Sequence, residues 1–190
     1  MAKAAVGFTI KSGWAAAVLI GGTKREPRLL DSRRVEISDP GRPDATQPYH
    51  AGFGTARGGG DELKRLVSSV KSYGRKSVNA LLREYEGNGR IAGAGVVVGS
   101  LIDPRTIGND HIRIHAMEGQ LFRGVVIDAV EKSGLRCSVI RERDLYGDAA
   151  KTLQIAESAI RRTLADLGRH VDGGWRSEQK AAALSAWVLL

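Results

Sequence analysis

The chain has 190 residues, 42% hydrophobic and 26% charged, a balance that supports one substantial core and excludes a disordered tail. Twenty-nine Lys and Arg against 21 Asp and Glu leave a net charge of +8, so polyanions, nucleic acid first among them, are the expected partners. No apolar run approaches the roughly 18 residues of a membrane span, and Met1–Phe8 lacks the long apolar stretch of a signal region; a single cytoplasmic domain over 1–190 is the expectation.

In chain order, Ala5 to Lys11 reads as an apolar, partly β-branched strand, Gly13 breaks it, and Trp14 to Ile20 reads as a second strand ended by Gly21-Gly22. Arg28 to Ile37 gives a third, with charges on alternate positions near its end, as in an antiparallel strand with one wet face. From Ser38 to Gly60 come Pro40, Pro43, Pro48 and the run Gly58-Gly59-Gly60, which predict a long irregular loop. His50 lies in it and is read as a solvated side chain within reach of a site.

Asp61-Glu62 opens a helix that runs to Gly87, and Gly74 is a candidate bend. Arg90 to Gly99 is a near-continuous apolar run, predicted as the central buried strand. Asn109 or Asp110 caps a second helix that stops at Gly134. Leu135 to Ile140 gives a fifth strand holding Cys137, the one cysteine, read as core packing because nothing beside it lowers its pKa. One helix is predicted from Asp144 through Leu164 and a last one from Ser177 to Leu190.

The most chemically suggestive segment is Asp110-His111-Ile112-Arg113-Ile114-His115-Ala116-Met117-Glu118-Gly119. At about 3.6 residues per turn, positions i, i+4 and i+7 share a helix face, so His111, His115 and Glu118 are expected to point together. Three readings stay open: a divalent metal held by His111, His115 and Glu118, an unmetallated phosphate or proton-transfer site, or plain structure in which His111 caps the helix, Arg113 is solvated and Glu118 pairs with Arg123 or a neighbouring strand. The segment lacks the glutamate between the histidines that marks the zinc-protease helix.

The order strand, strand, strand, helix, strand, helix, strand, helices resembles the ribonuclease H-like superfamily, in particular its Holliday-junction resolvase branch, over nearly the whole chain. Phe8-Thr9-Ile10-Lys11-Ser12-Gly13 followed by Ala15-Ala16-Ala17-Val18 looks like that family's first hairpin, and Glu178-Gln179-Lys180-Ala181-Ala182-Ala183-Leu184 like its closing helix. The resemblance implies an α/β fold of ribonuclease H-like type: a mixed sheet of about five strands, the first three antiparallel, flanked by helices. It also implies phosphodiester chemistry with divalent metal. The sequence departs at the acidic positions: Lys11 stands where the family has its first-strand aspartate, and Gly99-Ser100 ends the central strand, with Asp103 the nearest carboxylate. A protonated lysine cannot hold Mg²⁺, so the active site is either re-equipped or lost.

Since ligands of open α/β sheets gather at strand ends, Lys11, His111, His115, Glu118 and Glu178 are the candidate catalytic groups, with Lys11 as an electrostatic clamp. Arg113, Arg123 and Lys180 are the candidate phosphate contacts. With aromatics at only 5%, backbone contact is expected over base stacking. The expected function is a nucleic-acid-associated protein of the nuclease or resolvase type, whether cutting or only binding. The rivals are an actin-like phosphate or nucleotide binder and a non-catalytic structural subunit, with a homodimer among the expected assemblies.

Overall fold

A computed structural model describes residues 3–52, 55–87, 89–169, 171 and 174–190. Lys3–Lys11 (β1), Trp14–Gly22 (β2) and Pro27–Glu36 (β3) form an antiparallel meander, and β1 also pairs in parallel with a later strand, Arg90–Val98 (here β6). Between them lie two short strands, His50–Gly52 (β4) and Thr55–Ala56 (β5), and a helix, Asp61–Gly87 (α1). After β6 come Asp110–Lys132 (α2), Cys137–Arg141 (β7), Leu145–Leu153 (α3), Glu157–Leu167 (α4) and Ser177–Trp187 (α5). The main sheet runs β3-β2-β1-β6-β7. It is the mixed five-strand architecture expected, with one adjustment: β1 occupies the middle, and Arg90–Val98 lies next to it.

Strand alternation divides the apolar residues between two cores. On one face, Val6 and Phe8 of β1, Ala17 and Leu19 of β2, and Val96 and Val98 of β6 pack under α1 and α2. On the other, Ala5, Val18, Ile20 and Val97 meet α5 together with α3 and α4. The second face is unusually close, because Gly7 and Gly95 lie against the α5 backbone. A Cβ at Gly7 would sit 1.8 Å from the Ala182 carbonyl oxygen, and one at Gly95 would sit 2.4 Å from that of Ser185. The small-residue run Ala181–Ala183 is what lets α5 descend to that depth, and Trp187 completes the seam with its indole N–H on the Lys24 carbonyl at 2.9 Å. Trp187 is thereby core.

Three local expectations change. The loop over 38–60 carries a 3₁₀ turn, Pro43–Thr46, and the β4-β5 hairpin, in which His50 pairs with Ala56. The helix predicted from Asp144 through Leu164 divides into α3 and α4, because Gln154 takes a left-handed conformation at φ 57°; no glycine or proline announces that break. Cys137 is half-buried on an edge strand instead of sealed in a buried one, though it does pack against the α1/α2 core. Among the described residues no helix is long and apolar enough to cross a membrane.

Candidate functional site

The amino-terminal end of α2 is fixed by Asn109, whose side chain accepts the Ile112 N–H at 3.0 Å, so His111 is free of the capping role. One turn separates His111 from His115, and their Nε2 atoms lie 3.3 Å apart. Both residues are exposed or partly exposed to solvent, on the outer side of the helix. The inward side of the same helix carries Ile114 and Glu118, both buried, Glu118 only 1% exposed. The face expected to hold three outward groups therefore holds two, with the carboxylate beneath.

A third imidazole comes from the loop. His50 opens β4 and lies over the same face, its ring centroid 4.8 Å from that of His115 and 6.3 Å from that of His111. The ring nitrogens of His50, His111 and His115 fall within 4.8 Å of one another. His50 Nδ1 stands 2.8 Å from Glu118 Oε1, and the two side chains are 9% and 1% exposed. The other carboxylate oxygen, Glu118 Oε2, is buried with no hydrogen-bond partner among the described residues. The Glu118 charge also helps raise the Tyr49 hydroxyl above its ordinary pKa, after the larger effect of burial.

His50 is thus largely buried where the sequence suggests a solvated side chain. The Glu118 carboxylate, expected on the outer face with the two histidines, stands behind His50 instead. Glu118 does not pair with Arg123 either.

The hairpin is tied down near its base. The Arg57 amide donates to the Tyr49 carbonyl at 2.7 Å, and its guanidinium donates to the Pro48 carbonyl and to Glu62 Oε1 at 2.7 Å. The histidines open onto a cleft of about 540 Å³ bordered by Pro43, Asp44, Gln47 and Arg57. His115 also borders an adjoining apolar cleft with Ile10, Ile102 and Ile112.

Lys11 and Glu178 do come together, at 3.4 Å, but away from the imidazoles. Alternation along β1 puts Ile10 toward α2 and leaves Lys11, like Ala5 and Gly7, on the α5 side. The expected meeting of imidazoles, acid and ammonium at one lip is therefore two groupings on opposite faces of the sheet. Glu178 is held below the ordinary carboxylate range first by a hydrogen bond from its own backbone N–H, then by Ser177 and Lys11.

Of the expected phosphate contacts, Arg113 is engaged with Asp110 at 2.5 Å and with the Ile107 carbonyl. Arg123 is half-buried, its pKa lowered by burial, and donates to the Ser100 carbonyl at 3.1 Å. Lys180 lies in the first turn of α5, remote in sequence from both. Asp144 pairs with Arg141 and Arg143, a surface ion network.

A second feature carries no motif that the sequence announces. Between Leu63 and Arg83, α1 carries Lys64, Arg65, Lys71, Arg75, Lys76 and Arg83 and no acid. Among the described residues Arg65, Lys71, Arg75 and Lys76 are exposed and make no ion pair. Arg42, Lys64, Arg65 and Lys76 border a groove along this helix with Ser68, Ser69, Ser72 and Tyr73, against one acid, Asp39. Arg42 ends this groove, and the next residues, Pro43 and Asp44, border the histidine cleft. The two depressions flank one 3₁₀ turn. The signal available in the sequence was the acid-free stretch itself.

No family model and no curated protein matches the sequence. Among solved structures, the fold is similar to that of Thermus thermophilus RuvC, with a TM-score of 0.57 at 13% identity, covering 97% of this chain and 92% of that one. It is also similar to T. thermophilus RuvC in complex with a Holliday junction substrate, with a TM-score of 0.54 at 14% identity, covering 98% and 91%. The five-strand sheet with its antiparallel opening meander and flanking helices is the ribonuclease H-like fold in its RuvC form.

Proposed function

We propose that this chain binds structured nucleic acid by its sugar-phosphate backbone along α1 and directs it toward the histidine cleft. The observation that carries the reading is the groove along α1, where Arg42, Lys64, Arg65 and Lys76 stand with serine hydroxyls against the single acid Asp39, on a helix with no acid between Leu63 and Arg83. Lysine and arginine neutralise phosphates, and hydroxyls donate to phosphate oxygens without reading bases. From Lys64 to Lys76 the helix rises about 18 Å, long enough to follow several consecutive phosphates. The low aromatic content fits this mode, since base stacking would need exposed rings.

The RuvC-like fold makes a branched duplex the first probe, because one of the similar structures holds a Holliday junction. The finer reading is phosphodiester hydrolysis at a re-equipped site, in which imidazoles take the place of the carboxylates expected at the strand ends. Lys11 does not serve as a metal ligand in this reading, since its ammonium pairs with Glu178.

The test is anisotropy of a fluorescent four-way junction, a linear duplex and a fluorescent ATP analogue, each titrated at several salt concentrations. The proposal expects junction or duplex binding that weakens steeply with salt. Saturable nucleotide binding indifferent to salt, with no duplex binding, would replace it by the phosphate-binder reading. Incubation of end-labelled junction with and without added divalent metal reads cleavage separately from binding.

A further inference from the structure

We infer that His50, His111 and His115 form a binding site for a zinc-class transition-metal ion, with Glu118 orienting His50 from behind. The site differs from the set read from sequence spacing, because its third nitrogen comes from the loop hairpin. It is also separate from the Lys11 and Glu178 grouping across the sheet.

Three observations converge. Three imidazole nitrogens suit zinc and its first-row neighbours far better than Mg²⁺ or Ca²⁺, which take oxygen donors. A tetrahedral ion with metal–nitrogen bonds near 2.0–2.1 Å needs its ligand atoms about 3.3 Å apart. His111 and His115 already meet that spacing, at 3.3 Å between their Nε2 atoms. The cluster spans at most 4.8 Å, so the gap between His50 and the other two has to shorten by at most about 1.5 Å. Glu118 holds the His50 ring, so rotation of the exposed His111 and His115 side chains on α2 supplies that adjustment.

The second observation is the buried carboxylate. A metal-bound histidine commonly donates its other ring N–H to a carboxylate, which fixes its tautomer and raises its basicity. Glu118 Oε1 is 2.8 Å from His50 Nδ1, and this leaves the Nε2 lone pair as the one available to an ion.

The third is charge. Glu118 is 1% exposed, with Oε1 on His50 and Oε2 unpartnered among the described residues, and a buried carboxylate is costly without a compensating charge. A hydrogen bond between His111 and His115 alone would explain their spacing but not this acid. Arg57, a cation bordering the cleft, is committed to the Pro48 carbonyl and Glu62. A dication on the three rings supplies the missing charge. Its fourth position opens on the cleft of about 540 Å³, so it retains a water or an exchangeable anion.

This inference does not depend on the nucleic-acid reading, and its test uses the full chain with metal alone. Zinc is titrated into chelator-treated protein by calorimetry, and Co²⁺ is substituted to read tetrahedral coordination from its visible absorption. The expected result is one ion per chain, intense tetrahedral Co²⁺ bands, and loss of at least about 100-fold in affinity in both His50→Ala and His111→Ala. His111 is exposed, so its variant keeps the fold, as circular dichroism would verify. Glu118→Gln should weaken zinc by about 10- to 100-fold while stoichiometry stays at one, the size of effect typical of an outer carboxylate. Zinc affinity unchanged by His50→Ala, or octahedral Co²⁺ spectra, would overturn the proposal whether or not the chain binds DNA.

Discussion

His50 Nδ1 and Glu118 Oε1, from positions 68 residues apart, meet at 2.8 Å inside the protein and fasten the loop hairpin to α2. Removing His50 leaves the buried Glu118 carboxylate without its hydrogen-bond donor, at a cost of about 1–3 kcal/mol for a neutral acceptor and more for a charged one. His50→Ala is therefore expected to lower the metal-free unfolding free energy by about 3 kcal/mol. Adding Glu118→Leu to it should restore most of that loss. Urea denaturation of the two single variants and the double variant measures the coupling.

The α5 seam gives a paired prediction. Gly95→Ala drives a Cβ to within 2.4 Å of a backbone oxygen, and an overpacked core of this kind costs about 1–3 kcal/mol. At Gly124, inside α2, an added Cβ would meet nothing within 4 Å; Gly124→Ala should instead stabilise by about 0.5–1 kcal/mol, from the better helix propensity of alanine. Thermal melts of the two variants should move in opposite directions.

The fold was largely legible because its main sheet is local in pattern. Apolar runs in β1, β2 and β6 and the glycines at their ends mark the strands. The side on which Lys11 falls was legible too, although the strand-end argument placed it with the histidines. Side chains alternate along a strand, so Lys11 and Ile10 cannot both face α2, and Ile10 is the one packed there. The histidine site was half legible: the i, i+4 spacing fixes His111 and His115 on one face. The role of His50 was not, since Pro48 and the neighbouring glycines mark only a loop, and nothing local reveals where a loop folds back. The inward turn of Glu118 depends on which helix stripe meets the core.

Cys137 provides a pH prediction. Burial first, and the nearby Glu131 charge second, push its thiol up to about 11. The thiol therefore adds no instability below its ordinary titration range, and stability falls as pH rises from that range toward about 11. At pH 8 the thiolate is scarce, so iodoacetamide should label native protein about 100-fold more slowly than urea-unfolded protein. Equal labelling rates would show a thiol open to solvent.

Glu178 tests the other face. Its folded pKa is depressed, so the stability it contributes is present above the ordinary carboxylate range and is lost as pH falls through the folded value. In Lys11→Ala the carboxyl should titrate higher than in the parent. It should still remain below the ordinary range, because the backbone N–H, its largest stabiliser, persists. Carbon-detected NMR titration of the Glu178 side chain reads both values.

The central claim, that α1 carries a phosphate track, is tested most directly by the salt dependence of duplex affinity. Each phosphate contact contributes a slope of about 0.9 in log K against log salt. Replacing Arg65, Lys71 and Lys76 together by alanine should reduce the slope by about 2–3 units. The same treatment of Arg141, Arg143 and Arg161, which are paired with acids, should leave it nearly unchanged. An unaltered slope in the α1 variant, or equal losses in both variants, would contradict the account.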